Sequence, residues 1–110
     1  MVFKNIADRL KYRHPADAAN EYAGILKIEE KCDLVVCLTH LGYEGEMYND
    51  PELAAATRNV DVIVGGHSHT LLKDLKNVYN LDGEPVAIVT DWKWGLDVGN
   101  LKVSFKPQML

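Results

Sequence analysis

Two short stretches decide how this chain reads. Asp33-Leu-Val-Val-Cys-Leu-Thr39 runs straight into His40-Leu41-Gly42, and Val60-Asp-Val-Ile-Val64 runs into Gly65-Gly66-His67-Ser68-His69-Thr70. Each begins as a brief apolar run rich in valine, the pattern of a strand buried on both faces of a parallel sheet. Between them residues 43–49 read as a loop. Asp50 then serves as N-cap and Pro51 as first residue of a helix that continues to about Arg58. The run Ala54-Ala55-Ala56 is small enough to pack closely on a sheet. Strand, helix and strand make a βαβ unit over residues 33–70. Its crossover leaves the strands parallel, with both carboxyl ends on one edge.

Outward from this unit the signals weaken. On the N-terminal side, Pro15 suits the first turn of a helix over residues 15–31. Ala19, Tyr22, Ala23 and Leu26 lie on one face, Asp17 and Glu21 stand near its start, and Lys27 and Lys31 near its end. Residues 1–13 have no clear period and read as a lead-in, and His14, before Pro15, as an exposed residue without a role. On the C-terminal side, residues 77–81 and 85–90 flank Asp82-Gly83, a hairpin pattern. Residues 91–97 look irregular. In residues 98–105, Leu101, Val103 and Phe105 alternate with Lys102, Ser104 and Lys106, which predicts a half-exposed strand. The fold class is α/β: a βαβ unit followed by antiparallel hairpin strands.

Composition bounds the function. The chain has 110 residues, one domain's worth, and its 47% hydrophobic and 25% charged residues are an ordinary globular mix. No apolar run is long enough to span a membrane. Met1 leads into Lys4, Asp8, Arg9 and Lys11 rather than an apolar leader, so no export signal is expected, and the compartment stays open. Twelve Lys and Arg against sixteen Asp and Glu give a net charge of −4, which argues against a nucleic-acid surface. Cys32 and Cys37 are too few for a disulfide framework, and their spacing is not that of a zinc knuckle.

The chemistry lies in three histidines. His40 follows one parallel strand and His67 and His69 follow the next, at the edge where open α/β sheets bind ligands. Neighbouring strands stand about 4.8 Å apart, so imidazoles from the two turns can converge on a cation that takes nitrogen at about 2.0–2.1 Å. Gly65-Gly66 permits the sharp turn that aims them. Such donors suit zinc, iron, manganese or nickel better than calcium or magnesium. Glu44, Glu46 and Asp50 offer carboxylates as stand-in ligands. Ser68 and Thr39 have no base arranged beside them and are not nucleophile candidates. Trp92 and Trp94 read as core or edge packing rather than a base-stacking surface. Asp91 and Asp97 read as solvated loop carboxylates, and Asn49 and Asn80 match no ligand motif.

Thr39-His40-Leu41-Gly42, a helix, then Gly66-His67-Ser68-His69-Thr70 at the end of a buried strand resembles the second half of a calcineurin-like metallophosphoesterase domain. The similarity is to the 5′-nucleotidase branch, over residues 14–105, and the hairpin at residues 80–86 and the stretch at residues 94–101 share it. The resemblance implies an αββα fold and a pair of divalent metals whose bridging hydroxide attacks phosphorus. It implies His40 and His67 as ligands of one metal and His69 of the other. Its substrate class is a nucleotide or other phosphomonoester, its metals are zinc, manganese, iron or cobalt, and its members are often exported or periplasmic.

The family's first-half motifs are absent from these residues. Asp8-Arg9-Leu10 is not Asp-x-His, no Asn precedes a His, and no bridging Asp is in context. The nucleotide-binding C-terminal domain of the branch is also without a counterpart. The expectation is therefore the C-terminal half of a catalytic domain spanning residues 1–110, holding at most one metal per chain, with little activity alone. A half-domain exposes a sheet face and should form a homo-oligomer or domain-swapped dimer. The competing expectations are a non-catalytic interaction module, or a site completed across a symmetric interface.

Overall fold

Helix α1, Pro15–Gly24, begins where His14, in extended conformation, turns its Nδ1 back to accept the Ala16 amide at 3.2 Å. The lead-in histidine is thus exposed as expected, but it caps the helix. The computed structural model describes residues 12–44 and 48–107, so residues 1–11 of the lead-in and the candidate ligand Glu46 lie outside the described residues. α1 continues into a π-helical turn, Ile25–Glu29, closed by the Glu30 amide on Ile25 O at 2.9 Å. Lys31, with φ 57°, ends it in the left-handed region.

Strand β1 is Val36–Leu38, helix α2 Asp50–Ala55 and strand β2 Val62–Val64. The helix starts one residue earlier than expected because its cap is Asn49, whose Oδ1 accepts the Glu52 amide at 3.0 Å, and it stops short of Arg58, where buried Thr57 turns its hydroxyl back onto Leu53 O at 2.9 Å. Asp50, expected as the cap, is the first helical residue and is fully buried. Strands β3, Lys76–Tyr79, and β4, Pro85–Val89, form the expected antiparallel hairpin. Its loop spans five residues. Asn80 Oδ1 accepts the Asp82 and Glu84 amides, and Gly83 takes φ 76°.

Among the described residues the four strands form one mixed sheet in the order β1-β2-β4-β3. β1 and β2 are parallel in the register Val36↔Val62 and Leu38↔Val64, and β4 lies parallel to β2 with Ile63 opposite Ile88. One face carries Ile63, Val86 and Ile88, all buried beneath Leu53 and Ala54 of α2 and joined by Ala16 and Ala23 of α1. Two side chains tie α1 and the π-helical turn after it to this layer. Asn20 Nδ2 donates to Ala56 O while its Oδ1 accepts the Arg58 amide, and Asp61 Oδ2 accepts both the Val35 amide and the Lys27 ammonium at 2.8 Å.

The other face corrects two expectations. β1 is the edge strand and is not buried on both sides: Val36 is 46% and Leu38 79% exposed, since among the described residues no layer covers them. Residues 98–105 form no strand. Val98 is 93% and Phe105 63% exposed, because an alternating pattern needs a neighbouring ladder and no described strand offers one. Residues 97–101 instead line a groove of about 590 Å³ together with Val64 and Val89. No helix among the described residues is long and apolar enough to cross a membrane.

Candidate functional site

The ladders continue one residue past the ends of β1 and β2: the Thr39 amide donates to Val64 O of β2 at 3.0 Å, and the Gly65 amide to Val89 O of β4 at 2.9 Å. The next residues leave the sheet on the same edge. His40 and His67 meet there, with ring centroids 4.8 Å apart and planes inclined by 65°. Both rings are exposed. His67 and His69 take φ 74° and φ 54°, which costs a residue with a Cβ about 1 kcal/mol or more and recurs where a side chain must be aimed.

His69 does not join the pair as a third donor. Among the described residues no group of three or more His, Cys, Asp or Glu is close enough to hold a metal. The structure therefore brings two of the three expected imidazoles together. Two imidazoles at this spacing fit part of the shell of one cation that favours nitrogen. Glu44 accepts from Thr70 Oγ1 at 3.2 Å, and Asp50 is directed inward rather than at the imidazoles.

Two sets of contacts hold the turns. On the outer side, Ser68 Oγ accepts the Tyr43 amide at 2.9 Å and lies 2.6 Å from Thr70 Oγ1. Gly42, with φ 94°, fits closely against Ser68, since a Cβ there would stand 3.2 Å from the serine Cβ. On the inner side, Asp50 Oδ1 accepts the Thr39 hydroxyl at 2.6 Å and the Asp50 amide donates to Gly42 O at 2.7 Å. Asp50 Oδ2 is buried without a hydrogen-bond partner and lies where a Cβ at Gly65 would fall. Burial pushes the Asp50 carboxyl above its ordinary range, and the Thr39 hydrogen bond pulls the other way.

Ser68, Thr39 and Asp50 thus act as braces, a role that spacing alone does not disclose. The available signals were the hydroxyl between two histidines and the acid at a helix start. Cys32 and Cys37 are free thiols, and burial followed by the Asp50 charge raises the Cys37 thiol. His14 packs edge-on against Tyr48, with centroids 4.6 Å apart. Trp94 departs from the packing expectation: it is 80% exposed, with Lys93 Nζ 4.4 Å from its ring centre. Asp91 is no free carboxylate, since its Oδ2 accepts the Gly99 amide.

Known proteins share these elements. The chain is 32% identical over 89 residues to the trifunctional nucleotide phosphoesterase protein YfkN of Bacillus subtilis, covering 81% of this chain and 6% of that protein. It is 29% identical over 113 residues to the NAD 5′-nucleotidase of Haemophilus influenzae, covering 90% and 18%. Among solved structures, a 5′-nucleotidase precursor from Thermus thermophilus matches with TM-score 0.66 and 36% identity, over 76% of this chain and 18% of that one. The chain spans less than a fifth of the length of each of these proteins. No protein-family model matches it.

Proposed function

We infer that this chain, which over much of its length resembles the 5′-nucleotidase branch of the metallophosphoesterases, serves metal-dependent hydrolysis of nucleotide phosphomonoesters by presenting histidine ligands. The observation that carries this reading is the His40–His67 pair at the common end of two parallel strands. The kinship with phosphoesterases supports the substrate class, and the neutral imidazoles support zinc, manganese, iron or cobalt as the metal. A divalent ion bound there supplies Lewis-acid charge to a phosphoryl oxygen.

In this reading His40 and His67 hold one ion through ring nitrogens. His69, one residue past Ser68, belongs to a second metal position. The exposed edge gives an incoming phosphate access to the pair. Two cations a few Å apart repel, and they need a bridging carboxylate that none of the described residues brings to the pair. The chain corresponds to the second half of a catalytic domain, binds at most one ion, and hydrolyses little by itself. Calorimetric titration with zinc, manganese and cobalt, followed by a chromogenic phosphomonoester, tests this. One ion per chain with slow turnover is expected. No bound ion at all, or two tightly bound ions, overturns it.

The uncovered face of β1 favours a second reading, a non-catalytic interaction module that keeps at most one ion. A stable oligomer by light scattering whose formation ignores metal, with no turnover under any metal, would select it.

A further inference from the structure

Asp50 is fully buried, yet only one of its carboxylate oxygens has a hydrogen-bond partner. A buried polar atom left unpaired costs about 1–3 kcal/mol. The residue nevertheless touches every segment that leads to the histidine pair. Its amide holds Gly42 O, two residues after His40. Its Oδ1 holds the hydroxyl of Thr39, the residue before His40. Its Oδ2 is seated against Gly65, two residues before His67, at a place where any side chain on Gly65 would collide with it. One side chain at the start of α2 therefore fixes the exits of β1 and β2 relative to each other. We propose that Asp50 is a positioning residue for the paired imidazoles: its carboxyl sets the separation of the His40 and His67 turns, and with it the geometry offered to a metal ion.

The proposal rests on the reading of the pair as a metal site for its consequence, but not for its geometry. Ligand-orienting groups one step removed from a metal alter its affinity by about 10- to 100-fold when lost. Thr39→Ser should keep the hydroxyl and the spacing, whereas Thr39→Val and Asp50→Ala should release the turns.

The test uses the metal-free 110-residue chain and reads the nuclear Overhauser contact between the His40 and His67 rings, alongside a cobalt titration followed by its visible spectrum. The contact should be strong in the parent and in Thr39→Ser, and lost in Asp50→Ala and Thr39→Val, with cobalt binding about 10- to 100-fold weaker in those two. Thr39→Val leaves α2 and its cap unchanged and decides the matter if Asp50→Ala does not fold. A folded Thr39→Val protein that keeps both the ring contact and parental cobalt affinity overturns the proposal, as does a variant that melts earlier with the contact intact, the mark of a purely structural role. If the parent binds no cobalt, the metal reading fails, and the ring contact alone still decides whether Asp50 positions the pair.

Discussion

Ser68 accepts the backbone N–H of Tyr43 at 2.9 Å, so the turn that carries His67 and His69 is hydrogen-bonded to the loop that follows His40. The serine between two histidines is a strut. Its hydroxyl also meets Thr70, whose own hydroxyl reaches Glu44, and the chain of contacts closes the outer side of the site.

Ser68→Ala should therefore cost stability as well as metal affinity. Removing the acceptor leaves the Tyr43 amide unpaired, an effect of about 1 kcal/mol in a partly exposed loop. Urea denaturation of the metal-free chain measures it. A midpoint equal to that of the parent would show that the strut bears no load.

The histidines should separate into two classes. His40→Ala and His67→Ala should each weaken cobalt or zinc binding at least about tenfold, roughly 1.4 kcal/mol. His69→Ala should weaken the first ion less, because that ring does not join the pair. Added metal should raise the melting temperature of the parent, and a chelator should return it. Equal losses in all three variants would place His69 on the same ion.

Stability should fall as pH rises through the titration of Asp50. Burial raises its folded-state value above the unfolded one, so the native chain keeps the proton longer. Between those two values the folded state binds more protons, and the free energy of unfolding declines with rising pH. The contribution is fully present below the ordinary carboxylate value and gone above the raised one. Urea midpoints of the parent and Asp50→Asn, taken between about pH 4 and pH 7, measure it as a slope that the variant lacks.

The uncovered sheet face should drive self-association. Leu38 is 79% exposed on the edge strand, beside Val64 in the register of β1 and β2. Leu38→Lys should leave stability within about 0.5 kcal/mol, since the side chain is already in solvent. It should also shift the mass seen by light scattering toward the monomer. Ile63→Ala on the opposite, buried face should instead cost about 2–5 kcal/mol. A monomeric parent would remove the association argument.

The sequence by itself determined the elements whose signals are local. Valine-rich runs, Pro15 and Pro51 at helix starts and the Asp82-Gly83 turn each act through the backbone of a few neighbouring residues, and all four appear in place. It also located the turns of the candidate site, because parallel strands joined by a crossover must end on one edge. Only the tertiary structure decided what depends on a distant partner. It placed β4 between β2 and β3, left residues 98–105 without a ladder, exposed Leu38 on an edge, and buried Asp50 where Thr39 and Gly65 meet. Strand pairing, burial and ring convergence are set by residues far apart in the chain. An alternating pattern or an acid at a helix start reads the same whether or not its partner is there.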